Sequence, residues 1–372
     1  MANKKILLVT IFRVPNFGSV LQAFATQCIL ENLGHKCQIL NYDHNNGEWA
    51  KSHGVKSSYL KNKLLKWLGI KANHRKAKLL DKFINKNFHL TKRYSSSTEI
   101  KHELGEAYDV YIIGSDQVWN TRFTNCDPNF LLQFADKSKD RISIASSFAC
   151  EHLSPEHKEI FQQNLKLFKA ISVREKAGLK IIENLQITTK AYIILDPTLL
   201  LNSKQWDYLG NRSNINHNKY ILLYMWCYAF EPRPYIYHVL KSYQEKLNCK
   251  VIVLEGYNRH DSYMHSPNII DATESSVSDF LGYFANAELV ITSSFHGTAF
   301  ALNYGVPLIS IVPKNSEDDR QSSLLKLLGL SQCQLKVDED INNANPFYDK
   351  NQEQSKLEFL RQDSIAWINK AI

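Results

Sequence analysis

The sequence predicts an α/β protein made of two doubly wound, Rossmann-like domains. Three observations carry this. The chain has 372 residues, enough for two domains that each bury a core. It opens on a β-α-β pattern: strand 5–10 (KILLVT), helix 19–32 stopped by Gly34, and strand 37–42 (CQILNY). Residues 288–311 (ELVITSSFHGTAFALNYGVPLISI) repeat the pattern late in the chain as strand, Ser/His turn, helix and strand. Apolar residues make up 44% and charged residues 22%, as in a globular protein.

The remaining elements follow in order. Residues 108–113 (YDVYII), 141–148 (RISIASSF), 170–174 (AISVR) and 192–195 read as strands, with helices at 155–169 and 177–184 between them. The junction reads at about 186–215, where the chain turns polar and Asn-rich (211–218), which bounds the first domain at 1–190 and the second at 215–350. The second domain has strands at 219–226, 250–254 and 268–270, and helices at 232–247, 277–285 and 321–328. Residues 351–372 form an amphipathic helix expected to pack back over the junction.

Residues 44–100 break the alternation and read as a helical insertion. One helix fits 59–70, with Leu60, Leu64, Trp67 and Leu68 on one face among Lys61, Lys63 and Lys66; a second fits 77–88. Between positions 51 and 93 there are 13 Lys/Arg and one acidic residue, Asp81, a local net charge of +12. The rest of the chain is −4, so the overall +8 resides in this segment. A basic flank with a Leu/Trp face suits an anionic membrane surface; a solvated insertion packed on its domain fits as well. No nucleic-acid-binding motif accompanies the charge, and nucleic acid is not an expected partner.

The seven cysteines, at 28, 37, 126, 150, 227, 249 and 333, are odd in number and never spaced C-x-x-C. They read as reduced thiols of a cytoplasmic protein, with no zinc ribbon and no redox pair. The apolar run in MANKKILLVT is too short for a signal peptide and leads into a strand, and no run of about 18 apolar residues is present to span a membrane. The first loop lacks G-x-G-x-x-G, which removes the dinucleotide fingerprint. Asp338-Glu339-Asp340 imitates a D-x-D motif but lies in a polar stretch, and no metal site is expected.

Two constellations carry chemistry. In α/β proteins ligands bind outside the carboxyl ends of the strands. Asn16, Gly18 and Gln22 follow the first strand, and Ser115, Asp116, Gln117, Trp119 and Asn120 follow strand 108–113. Hydroxyl, carboxylate and amides suit a sugar's hydroxyl groups, and Trp119 offers an apolar wall. In the second domain Ser293, Ser294, His296 and Gly297 stand at a helix N-terminus, whose N–H groups suit phosphate or carboxylate. His296 can contact that anion or move a proton.

These pieces, in order along the chain, carry a resemblance. Asn16-Phe17-Gly18 with Gln22, GSDQVWN at 114–120, residues 145–148 and 172–175, Asp196-Pro197-Thr198 and Ser294-Phe295-His296-Gly297 resemble the polysaccharide pyruvyl transferase family. Singly each is weak; in this order they are specific. The resemblance implies a glycosyltransferase B-like fold, two doubly wound domains facing across a cleft. It implies transfer of the enolpyruvyl unit of phosphoenolpyruvate to a sugar of a surface or capsular polysaccharide, forming a ketal. It implies His296 and Arg174 in the donor site. Many members carry Arg-Leu where this chain has Ser294-Phe295.

On this footing His296 and Asp116 are the catalytic candidates. Arg174, Arg320, Ser293, Ser294 and Gly297 bind the donor. Asn16, Gly18, Gln22, Ser115, Gln117, Trp119 and Asn120 line the acceptor side. No cofactor is expected beyond phosphoenolpyruvate as donor substrate. The acceptor is a saccharide, free or lipid-linked, and residues 51–93 would hold the enzyme at the inner membrane face. The rivals are a nucleotide-sugar glycosyltransferase of the same fold, for which Glu317, Asp318 and Asp319 could be recruited, and a non-catalytic saccharide-binding protein of a glycan-assembly complex.

Overall fold

Strands buried on both faces read as unbroken apolar runs, and the central strands of both sheets here are of that kind. The computed structural model describes residues 3–44, 47–52, 74–210, 219–227, 230–255, 262–315 and 318–372. The chain divides into two units: Met1–His74, Lys82–Leu200 and Arg361–Ile372 in the first, Arg75–Asp81 and Leu201–Leu360 in the second.

Unit 1 runs β1 (Lys5–Val9), α1 (Phe17–Asn32), β2 (Lys36–Tyr42), α2 (Glu48–Ser52), α3 (His74–Asn87, shared with unit 2), β3 (Leu90–Tyr94), α4 (Ser97–Leu104), β4 (Val110–Ile113) and α5 (Thr121–Thr124). It continues through β5 (Asp140–Ser146), α6 (Pro155–Leu165), β6 (Ala170–Val173), α7 (Lys176–Asn184), β7 (Ala191–Ile193) and α8 (Pro197–Leu200). The sheet is parallel, in the order β3-β2-β1-β4-β5-β6-β7. The strand order reverses between β1 and β4, which is where a doubly wound sheet opens a crevice.

Unit 2 runs α9 (Ser203–Asp207), β8 (Tyr220–Tyr224), α10 (Tyr235–Leu247), β9 (Lys250–Glu255), β10 (Ile269–Asp271), α11 (Val277–Ala285) and β11 (Leu289–Thr292). Then come α12 (Phe295–Tyr304), β12 (Leu308–Val312), α13 (Arg320–Leu328) and β13 (Gln334–Lys336). The final helix, α14 (Lys350–Ala371), starts in unit 2 and ends in unit 1. The second sheet is also parallel, ordered β10-β9-β8-β11-β12-β13, and reverses between β8 and β11.

Three differences from the sequence reading have physical causes. Residues 44–100 hold an added strand, β3, and an added short helix, α2, and a further helix, α4, begins at their end. β3 (LTKRY) is the edge of its sheet, with Lys92 and Arg93 exposed, so it lacks the apolar run that marks a central strand. β13 (QLK) is the other unanticipated strand and is likewise an edge. Helices α1, α12 and α13 begin one to three residues earlier than expected, because Asn16 and Ser294 cap the first two with their side chains and Asp318 accepts from the first N–H of the third. The expected amphipathic helix at 59–70 and the Asn-rich stretch 211–218 lie outside the described residues.

Helix α12 is buried on every side and is accordingly composed of apolar and small residues. Gly297 permits its close approach to the sheet. A Cβ at 297 would stand 2.1 Å from Thr292 Oγ1 and 2.9 Å from Tyr224 Cδ1. Gly305, at φ 62°, ends the helix in the left-handed conformation, its N–H directed at the carbonyls of Ala301 and Leu302.

Candidate functional site

In unit 1 the candidate site grows from the crevice between β1 and β4. Asn16 caps α1, its side chain accepting from the N–H groups of Gly18 (2.8 Å) and Ser19 (3.4 Å). That capped turn aims the Ser19 hydroxyl at Asp116, to which it donates at 2.6 Å. Asp116 itself has φ 70°, in the left-handed region that a non-glycine residue enters at a cost. The bend is held by its neighbours: Gln117 N–H donates to Asp116 Oδ1 at 2.9 Å, and the backbone of Asp116 bridges to Ser146. Backbone strain of this kind collects at working sites.

Beneath Asp116 lies a buried ionic cluster. Arg174 Nη1 donates to Asp196 Oδ2 at 2.6 Å and Nη2 to Asp116 Oδ1 at 3.4 Å; Nε is 3.8 Å from Glu175 Oε2. Ser115 Oγ joins it, 2.7 Å from Asp196 Oδ2. Asp196 also accepts from Thr198 N–H and Oγ1 at the start of α8, and Glu175 accepts from Phe148 N–H. The Arg174 side chain is fully buried. The guanidinium is thus held among three acidic side chains. Arg174, expected in the donor site, is bonded here to Asp196 and Asp116 and holds them in place.

Two of the acceptor-side candidates are also corrected. Trp119 is 1% exposed and packs on Phe148, Phe161 and Phe168, its indole N–H bonded to the Phe130 carbonyl. It is a core residue because the chain turns inward after Asp116. Gln22 is fully buried and donates to Thr10 Oγ1 and the Ile11 carbonyl, bracing the loop after β1 from below. Asn120 caps α5 and donates to Gln117 Oε1 at 2.7 Å. Ser19, Glu175 and Asp196 were not among the site candidates; Glu175 and Asp196 stand inside the motifs at 172–175 and 196–198, the one signal that pointed to them.

In unit 2 the matching crevice lies between β8 and β11. Ser293 Oγ ties the two strand ends together, accepting from Trp226 N–H and donating to the Trp226 carbonyl, both at 2.8 Å. Ser294 is the N-cap of α12, its hydroxyl accepting from Gly297 N–H at 3.4 Å. His296 follows in the first helical turn, 5% exposed, its ring edge-on to Phe295. Below, Thr298, Ser310 and Gln321 form a hydrogen-bonded line that anchors α12 to β12 and α13.

Arg320 departs from its expected role. Its fork closes on Asp318, Nε to Oδ1 at 2.7 Å and Nη2 to Oδ2, a bidentate pair that neutralises the guanidinium. Arg320, expected to serve the donor, thus already has a carboxylate partner.

Two parallel doubly wound sheets with polar clusters at their switch points define a protein of the glycosyltransferase B-like class. Its solved likenesses show this fold. The Staphylococcus aureus MnaA–UDP structure has TM-score 0.54 at 12% identity, covering 94% of each chain. UDP-GlcNAc 2-epimerase of Methanocaldococcus jannaschii has TM-score 0.54 at 13% identity over 96% of this chain and 98% of that one. Arabidopsis thaliana UGT89C1 with UDP-L-rhamnose has TM-score 0.51 at 10% identity over 98% and 94%. No curated protein matches the chain significantly. The family description "polysaccharide pyruvyl transferase" matches residues 16–315, and this chain belongs to that family. The matched range contains both clusters, from Asn16 through His296. Among the described residues no helix is long and apolar enough to cross a membrane.

Proposed function

We propose that this protein transfers the enolpyruvyl group of phosphoenolpyruvate to a sugar of a surface or capsular polysaccharide precursor, forming a pyruvate ketal. The observation that carries the reading is the placement of His296 in the first turn of a wholly buried helix at the unit 2 switch point, in a chain of this family. N–H groups at that helix end favour phosphate or carboxylate. Asp116, held at a strained bend by Ser19, is the group that receives or orients the sugar hydroxyl.

The chemistry is addition, elimination and ring closure. One sugar oxygen bonds to C2 of the donor while C3 gains a proton. Phosphate leaves, and a second hydroxyl closes the ketal as its own proton departs. His296 contacts the phosphate or moves a proton, and Asp116 takes the hydroxyl proton. Gln117 and Asn120 line the acceptor side, and Ser115 supports them from the buried cluster below. Cytoplasmic residence fits the reduced cysteines, and the acceptor is a free or lipid-linked saccharide.

The first test is thermal shift of the full chain with phosphoenolpyruvate or with UDP. Phosphoenolpyruvate is expected to raise the melting temperature and UDP to leave it unchanged. The reverse result replaces this reading with a nucleotide-sugar transferase. His296→Ala is expected to lower turnover by roughly 100-fold or more.

A further inference from the structure

Ser294 brings no charge to the helix end, and the Arg320 guanidinium is paired with Asp318. A donor with a phosphate and a carboxylate needs a cation nearby. Unit 2 acquires one from an unexpected place, the basic segment. Residues Arg75–Asp81, the first part of α3, belong to unit 2. There the Lys76 side chain is 2% exposed, and its Nζ is bonded to Glu255 Oε2. The same ammonium lies 5.6 Å from the centre of the Trp226 ring.

The position of this pair follows from strand register. Tyr224, the last residue of β8, is paired with Glu255 of β9 on one side and Thr292 of β11 on the other. Glu255 and Thr292 are thus two strand spacings apart, about 10 Å. Thr292 leads directly into Ser293, Ser294 and α12. Trp226, under the Lys76 ammonium, is the residue whose backbone Ser293 holds at both N–H and carbonyl. Lys76 therefore stands at the same carboxyl edge as His296, over the adjoining strand.

Burial of an ion pair seldom adds stability over an apolar pair of similar size. Burial pushes the Lys76 ammonium down to about 7. Lys suits a phosphate as a compact point charge.

We infer that Lys76, resting against Glu255 and Trp226, is a donor-binding residue that receives an anionic group of phosphoenolpyruvate. The inference rests on the functional reading above. Glu255 is the counter-ion with which the incoming anion competes.

The test is calorimetric titration of phosphoenolpyruvate, and separately of inorganic phosphate, into the full chain and its Lys76→Met and Glu255→Gln variants. Lys76→Met is expected to weaken phosphoenolpyruvate binding by about tenfold or more, the loss of one charge-assisted hydrogen bond. Glu255→Gln is expected to tighten it several-fold, since the competing carboxylate is gone. A parallel change for inorganic phosphate assigns the contact to the phosphate; a change for phosphoenolpyruvate alone assigns it to the carboxylate. Wild-type protein that binds phosphoenolpyruvate while Lys76→Met binds it equally overturns the inference and leaves the function intact. Wild-type protein that does not bind phosphoenolpyruvate overturns both. If Lys76→Met does not fold, Glu255→Gln decides alone: unchanged or weaker binding refutes the role of Lys76.

Discussion

Asp116 combines a backbone cost with a side-chain task, and substitution can separate them. Its φ of 70° is tolerated by asparagine better than by most residues, because a short polar side chain bonds locally in the left-handed region. Asp116→Asn keeps that conformation and an Oδ1 for the Gln117 N–H, while its amide NH2 replaces Oδ2 and donates to the Ser19 hydroxyl instead of accepting from it. It removes the negative charge facing Arg174 and the capacity to take a proton. We expect a melting temperature close to wild type together with turnover reduced roughly 100-fold or more. A variant that melts far lower and regains activity when restabilised would show that Asp116 serves the fold. Arg174 belongs to the same argument. A residue adjoining a motif can be read as a ligand-binding cation, but its partners are separated from it by tens of residues, and only the folded chain shows that Asp196 and Asp116 already occupy it.

The N-terminus of α12 is the element on which the donor reading turns. Ser294 fills an N-cap position that aspartate fills equally well, since both accept from the N3 N–H. Ser294→Asp therefore preserves the helix, and its charge even favours the positive dipole end. The same charge repels a phosphate or carboxylate at that end. Stability should hold within about 1 kcal/mol by denaturant titration, while the Michaelis constant for phosphoenolpyruvate rises. Ser294→Ala should do the opposite, costing about 1 kcal/mol of stability with little effect on donor affinity. Unchanged donor kinetics in Ser294→Asp would move the donor away from this helix end. Strand elements show a related division. The central strands VYII, YILLY and LISIV announce themselves as apolar runs, whereas edge strands LTKRY and QLK do not, since one side of an edge faces water.

At the scale of the whole molecule the charge is unevenly divided: +12 within residues 51–93 against −4 elsewhere. Part of that segment is now accounted for, since Lys76 is buried against Glu255 and Lys92 pairs with Glu99 and Glu103. The lysines at 61, 63 and 66 lie outside the described residues, and for them we propose contact with anionic lipid or a lipid-linked acceptor. Binding to vesicles rich in anionic lipid should weaken steeply as salt rises. Neutralising Lys61, Lys63 and Lys66 together should weaken it further, by about 1 kcal/mol per residue. Activity on a soluble acceptor should persist. Binding that ignores salt, or none, would make the segment a solvated insertion.

The sequence by itself determined the class of this protein. Strand–helix alternation, the scattered cysteines and the order of short motifs fixed two doubly wound sheets, the family and the two strand-end constellations, because these are properties of local pattern and spacing. It also singled out His296 and Asp116 as candidates, each inside a motif. Tertiary structure decided which polar side chains are open and which are spent. Trp119 and Gln22 turned inward, and Arg174, Arg320 and Lys76 each took a carboxylate partner, Lys76 also standing beside Trp226. The physical reason is that a buried charge must find its partner, and the partner of Lys76 lies 179 positions away in the chain. Such a pairing is created by strand order and register, and no local pattern records it.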